Sequence, residues 1–279
     1  MAKGMSGGTG GRAGHLDALD VTASLKKADY KRQLKKLQSK LLRIQQAYLH
    51  TGDSAVIVFE GWDAAGKGGT IRCMSAVLDP RGFKVWPIAA PRQYHLERHY
   101  LTRFWERLPP RGAIAVFDRS WYGRVLVERV EGLAAEQDWR RAYDEINEFE
   151  RLLNADGTRI IKIFLHITPD VQLARFAKRM RNPMKRWKLT YDDFRNRGQW
   201  NEYEAAIDEM VDRTSTAIAP WTLISSNDKR HARVAALGLI ADRLASGVSL
   251  EPAPLDAQVA AEAAALFDGF DLGWEGSGD

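Results

Sequence analysis

A chain of 279 residues, 45% of them hydrophobic, has enough apolar material for one large α/β domain or two small ones. No apolar run approaches the roughly 18 residues of a membrane helix, and the opening MAKGMSGGTGGRAG lacks the apolar core of a signal peptide, so a cytoplasmic protein without membrane contact is expected. A lone Cys73 excludes an internal disulfide framework and a cysteine-based zinc site, while a net charge of +5 and a pI near 9.2 suit a polyanionic partner without requiring one.

In chain order, residues 1–20 are rich in glycine and are expected to be disordered, ahead of a unit covering 21–248. From Thr22 to His50, Leu34, Leu37, Leu41, Ile44 and Tyr48 recur at steps of three and four, which predicts an amphipathic helix with Lys31, Lys35, Lys36 and Lys40 outward. Its apolar stripe could pack on its own core or on a second subunit, so a homo-oligomer stays open. SAVIVFEG at 54–61 then reads as a buried strand entering a glycine loop, followed by a helix through Ile71 and Val77. KVWPIA, AIAVFD, IIKIFLHI and WTLISS are further strands, with helical patterns between them. This alternation predicts a three-layer α/β/α fold on a parallel sheet, with functional groups at the carboxyl ends of the strands. Residues 249–279, rich in alanine, acid and glycine, read as a tail with one short helix.

The glycine loop carries G-x-x-x-x-G-K at Gly61, Gly66 and Lys67, the pattern of a phosphate-binding P-loop. Such a loop lets the backbone from Gly61 through Ala64, Ala65, Gly66, Gly68, Gly69 and Thr70 curl around phosphate oxygens, with Lys67 neutralising charge that moves during phosphoryl transfer. Gly68, however, stands where the usual motif has a magnesium-binding hydroxyl. Asp63 inside the loop would repel phosphate unless a cation lay between them, and Asp118, ending the apolar run AIAVF, is the matching carboxylate on another strand. Asp63 and Asp118 are therefore the expected Mg²⁺ ligands, completed by phosphate oxygens and water. Arg119 and Arg124 follow at once.

The segment RFAKRMRNPMKRWK, Arg175 to Lys188, is dense in base and holds no acid, so its charges are not locally paired. Asn182 and Pro183 interrupt its helix, which predicts a lid over about 175–200 that brings Arg175, Arg179, Lys185, Arg186 and Lys188 to phosphate. Trp187 and Trp200 could stack on a base or pack the lid to its domain, packing being favoured. His95 and His99 have a helical zinc spacing but no third ligand, and no G-x-S-x-G elbow points to a hydrolase.

Together, GWDAAGKGG (61–69), FDRSWYGR (117–124), RWKLT (186–190) and APWTLISSNDKRHAR (219–233) resemble the polyphosphate kinase 2 family, over roughly residues 25–245. The resemblance implies a P-loop kinase core with a helical lid, inorganic polyphosphate as phosphoryl donor, Mg²⁺ as cofactor, and an adenine or guanine nucleotide as acceptor. It matches Asp63 and Asp118 to the family's essential aspartates, Lys67 to its P-loop lysine, and Arg119 and Arg124 to the arginines after the second aspartate. Gly68 is no departure within that family. GRVLVERVEG and RTSTAIAPW look closer to members that act on AMP than to those that act on ADP. Neither nucleic acid nor membrane is an expected partner. Two rival readings share fewer of these features: an ATP-dependent kinase would use the P-loop and lid, and a polyanion-binding protein the basic segment alone.

Overall fold

The five apolar runs form one sheet: β1 (Ser54–Gly61), β2 (Phe83–Pro87), β3 (Ile114–Asp118), β4 (Thr158–His166) and β5 (Trp221–Ser225). All pairings are parallel, in the order β2-β3-β1-β4-β5. The computed structural model describes residues 14–252 and 254–267, so the expected disorder of residues 1–13 and the last stretch of the tail lie outside the described residues.

Helices alternate with the strands: α1 (Lys27–Thr51), α2 (Lys67–Ser75), the single turns α3 (Gln93–Leu96), α4 (Thr102–Trp105) and α5 (Val127–Val130), then α6 (Glu136–Ala155), α7 (Pro169–Arg181), α8 (Tyr191–Gly198), α9 (Trp200–Thr214), α10 (Lys229–Ala245) and the exposed α11 (Ala257–Leu266). Helices α1, α2 and α10 pack together over the sheet, and α5, α6 and α9 form a second group, which gives the three layers. Because both sheet faces are covered, β1 and β4 are buried almost end to end, which is why they read as unbroken apolar runs rather than as alternating ones. The stripe of α1 faces its own domain, where Tyr48 is fully buried and donates to the Leu244 carbonyl of α10 at 3.0 Å. Among the described residues no helix is long and apolar enough to cross a membrane.

Residues 14–20 depart from the expected disorder. Leu16 is buried in the core, and the His15 amide donates to Asp208 on α9 at 2.9 Å. Two leucines at 16 and 19 give this otherwise polar stretch an apolar anchor, a short signal easily lost beside so many glycines.

The sheet order places the site. After β1 the chain leaves through α2 to the outer strand β2 and returns as β3 beside β1, whereas β4 joins the other flank of β1. In the β1–β3 register Phe59 pairs with Asp118, so the loop after Gly61 and the segment after Asp118 emerge side by side at the carboxyl edge.

Candidate active site

The glycine loop is shaped by three residues with positive φ: Gly61 at 142°, Ala64 at 64° and Gly66 at 117°. A Cβ on Gly61 would collide with the Leu165 carbonyl of β4, so only glycine lets the loop leave the sheet at this point. Ala64 holds a left-handed conformation that costs an L-residue about 1–2 kcal/mol. The reward is a set of free donors. Among the described residues no backbone bond uses the amides of Ala64, Gly66, Lys67 or Gly68, whereas those of Ala65, Gly69 and Thr70 bond to carbonyls within the loop. Of the expected phosphate-binding backbone, Ala65 and Thr70 are buried beneath the loop and do not line the cleft.

Behind the loop, charge is arranged in pairs. Lys67 is buried, and its Nζ donates to the carbonyls of Gly61 at 2.6 Å and Trp62 at 3.3 Å, leaving a third proton for the cleft. Burial, then Arg119, pushes this ammonium below its ordinary pKa, and Asp63, Asp118 and Glu60 work against that. Arg119, itself at a positive φ of 67°, places Nη2 2.6 Å from Asp63 Oδ1. Asn196 on α8 donates to Asp63 Oδ2 at 2.9 Å. Burial alone would raise the Asp63 carboxyl; Arg119, Lys67 and the Asn196 amide outweigh it and hold the group below the usual carboxylate range. Glu60, wholly buried in β1, accepts from both the amide and the hydroxyl of Ser120 at 2.8 Å, which fixes the turn that carries Arg119. Burial pushes its carboxyl up, against Lys67 and Arg119.

Asp118 differs from these neighbours: among the described residues its carboxylate has no hydrogen bond or ion pair within 4 Å. A Cβ on Gly68 would lie 3.6 Å from Asp118 Oδ2, so the side chain missing at Gly68 leaves open space directly against this carboxylate. That space, one bare carboxylate and the remaining lone pairs of Asp63 suit a hard cation. No group of three or more His, Cys, Asp or Glu suited to a metal occurs among the described residues, so a cation here would draw its other oxygens from phosphate and water.

The P-loop and the lid enclose a single cleft of about 1520 Å³. Asp63, Lys67, Asp118, Arg119 and Arg124 line it with Gly61, Ala64, Gly66, Gly68 and Gly69, and the lid contributes Arg179, Lys185 and Lys188. Arg186 turns away, its Nε on the Met180 carbonyl at 2.7 Å. Arg175 lines the cleft but is committed to structure: its guanidinium bonds the carbonyls of Ala64, Ala65, Ser226 and Asn227 at 2.5–3.0 Å. It braces the P-loop from beneath. A sequence shows a basic side chain but not the carbonyls that claim it. Arg124 shares Nη1 with Glu128 at 3.0 Å.

Two basic residues missed by the sequence reading also line this wall, Lys229 and Arg233 at the start of α10. They lie within the quoted APWTLISSNDKRHAR stretch, so the signal was present but had no assigned role. Burial, followed by Arg175, Arg233, Arg179 and Lys178, brings the Lys229 ammonium down to about 8. Of the tryptophans, Trp200 stacks on Trp62 of the P-loop with centroids 3.7 Å apart, so it packs the lid to the loop, whereas Trp187 is exposed. His95 accepts from the Arg92 amide at 3.2 Å while His99 lies 3.6 Å from Glu145, so the two rings serve different partners.

A parallel sheet whose first strand opens through a glycine loop into a helix, with a carboxylate on the adjacent strand and a helical lid, is a P-loop kinase fold. Residues 24–248 match the family model "Polyphosphate kinase 2 (PPK2)", and the chain belongs to this family. It is 52% identical over 232 residues to the polyphosphate:AMP phosphotransferase of Pseudomonas syringae pv. tomato, an alignment covering 82% of this chain and 46% of that protein. It is 39% identical to ADP-polyphosphate phosphotransferase 2 of Rhizobium meliloti, over 76% of this chain and 69% of that one. The crystal structure of polyphosphate kinase 2 from Arthrobacter aurescens TC1 superposes with a TM-score of 0.84 at 32% identity, covering 93% of each chain. The chain thus spans about half the length of the polyphosphate:AMP phosphotransferase it matches and nearly all of the solved chain.

Proposed function

We propose that this protein transfers a phosphoryl group reversibly from inorganic polyphosphate to a nucleotide, with AMP as the acceptor, in the cytoplasm, the compartment that suits its lone thiol. The acting unit is residues 21–248 with its lid over 175–200. The observation that carries the proposal is the opposition within one cleft of a P-loop and a wall of bases, of which Lys185 and Lys188 have no ion pair among the described residues. A donor with many negative charges along its length needs such a wall; a single nucleotide does not. The similarity to a polyphosphate:AMP phosphotransferase supports the choice of acceptor.

The protein's work is alignment and charge compensation. The free amides of Ala64, Gly66, Lys67 and Gly68 hold the reacting phosphate, and Lys67 and Arg119 face the charge that moves as one P–O bond breaks and another forms. Lys185, Lys188 and Arg179 hold the donor chain and, with α8 docked on Asp63, keep water away from the transferring group. Asp118 and Asp63 would hold Mg²⁺, which when bound neutralises phosphate oxygens.

Purified protein given polyphosphate with AMP or ADP separately, with products resolved by chromatography, tests the assignment. ADP formed from AMP is expected. Turnover with ATP but none with polyphosphate would reassign the protein to the ATP-dependent kinases. Retention of wild-type magnesium dependence and activity in Asp63→Asn would overturn the metal assignment.

A further inference from the structure

Trp62, which follows the first glycine of the loop, joins parts of the site that no other residue connects in this way. Its amide donates to the Leu165 carbonyl of β4 at 3.3 Å, and its own carbonyl accepts from the Ala65 amide at 3.0 Å and from Lys67 Nζ at 3.3 Å. Its indole lies flat against Trp200 at the start of α9, with Tyr203 of the same helix tilted beside it at 6.3 Å. The next residue, Asp63, receives the side-chain amide of Asn196 from α8. Backbone and ring of one residue thus meet both the P-loop lysine and the beginning of α9.

The orientation of that ring hangs on one hydrogen bond. Trp62 is buried, and its Nε1 proton goes to His166 Nδ1 at 3.0 Å. A buried indole N–H requires an acceptor, and the torsion that turns the ring has broad wells, so apolar packing by itself selects an orientation weakly. The acceptor is firmly held. His166 is the last residue of β4, is buried, and accepts the Ser226 amide on its carbonyl at 2.7 Å, while Ser226 Oγ donates to the Ala65 carbonyl of the loop at 2.6 Å. Desolvation brings the imidazole down to about 4, so at neutral pH the ring is uncharged and Nδ1 keeps its lone pair. His166 does not itself line the cleft.

We infer that His166 is a positioning residue for phosphoryl transfer. By fixing the Trp62 indole it sets the face on which Trp200 stacks and the carbonyl that aims Lys67. It rests on the proposed function and adds to it a side chain that touches neither polyphosphate nor nucleotide. A histidine that served packing alone could give way to an apolar residue of similar size without loss of turnover; one that orients Trp62 could not.

Two substitutions separate orientation from packing. His166→Asn sets an amide oxygen at the distance from Cβ where Nδ1 stands, whereas His166→Leu fills the space and offers no acceptor. In protein isotope-labelled on its tryptophan side chains, with the Trp62 indole resonance identified through Trp62→Phe, solvent exchange of the Nε1 proton should be at least about tenfold faster in His166→Leu than in wild type and within about threefold in His166→Asn. With polyphosphate and AMP, well below each unfolding temperature, His166→Leu should lower kcat at least about tenfold with both KM values within about threefold, and His166→Asn should recover kcat to within about threefold. Trp62→Phe keeps a ring for Trp200 but has no N–H to orient, so it should show the same fall in kcat and tests the bond even where His166→Leu does not fold. A wild-type kcat in His166→Leu or in Trp62→Phe would overturn the inference. So would an unchanged exchange rate in His166→Leu, or a loss of kcat that His166→Asn shares in full. Wild-type protein without turnover from polyphosphate would overturn the proposed function and, with it, the part given to His166 in that reaction.

Discussion

The two walls of the cleft are built on opposite plans. On the P-loop side several charges have fixed partners: Arg119 holds Asp63, Glu60 holds Ser120, and Arg175 holds four carbonyls. Beneath that wall Lys162 and Glu150 form a buried ion pair at 2.7 Å, tied also to Trp121, Tyr122 and the Thr214 carbonyl. At the lid tip Met184, Trp187 and Tyr191 are three-quarters exposed or more, and among the described residues Arg181, Lys185 and Lys188 have no ion pair. In the proposed reaction the reacting phosphate would meet dipoles and charges oriented before it arrives, while the donor chain would meet side chains held by no ion pair. Preorganisation matters where bonds change, and adaptability where a polymer of variable length must be held.

This contrast can be broken at its most rigid point. Lys162→Met leaves Glu150 buried without its cation and should cost about 3–5 kcal/mol of stability, measured by denaturant unfolding. A loss below about 1 kcal/mol would mean that the pair does not anchor the wall. Next is pH. His166 is buried beneath the loop, accepts from Trp62 Nε1 at 3.0 Å on Nδ1, and is brought down to about 4 by desolvation. A folded pKa below the unfolded one near 6.5 means that the unfolded chain binds more protons between these values. Its contribution is therefore fully present above about pH 6.5 and is lost as pH falls towards 4, by roughly 3 kcal/mol in total. His166→Gln, which keeps an acceptor for Trp62, should flatten that part of the stability profile; an unchanged slope would exclude His166 as its source.

The adaptable wall should respond differently. Lys185→Ala/Lys188→Ala is expected to raise the KM for polyphosphate about tenfold, or about 1.4 kcal/mol, with little change in kcat or in unfolding temperature. A matching fall in kcat would show that the tip acts in the chemical step. The smallest effect concerns strain. Ala64→Gly relieves the left-handed alanine and, after the entropic cost of glycine, should stabilise the fold by less than about 1 kcal/mol, seen as a rise in Tm of roughly 1–3 °C. A lower Tm would mean that the Ala64 methyl contributes packing that exceeds the strain.

All five strands were legible because β1 and β4, buried on both faces, leave continuous apolar runs, and because the glycine loop marks where β1 ends. The long stripe of α1 was equally clear. What escaped was set by partners distant in sequence: Asn196 on Asp63 across 133 positions, and Arg175 on Ala64 across 111. Neither residue type announces which carbonyl or carboxylate it will meet. The single-turn helices α3, α4 and α5 are too short to show a periodicity, so the segment bearing Leu96 and Arg103 could not be assigned to a cleft wall beforehand. Lys162 was visible as the one charge within IIKIFLHI, but only the fold supplies Glu150.

The stack of Trp62 on Trp200 has a practical consequence. Its two indoles, 3.7 Å apart and within 4° of parallel, belong respectively to the glycine loop and to Trp200, the first residue of α9 and the last of the 175–200 segment. Any separation of the lid from the loop must unstack them, and stacked indoles emit differently from separated ones. If the proposed lid opens and closes, the pair would serve as an intrinsic optical gauge of that movement. Against the background of its nine tryptophans, the difference spectrum between wild type and Trp200→Phe would isolate that signal without an added dye.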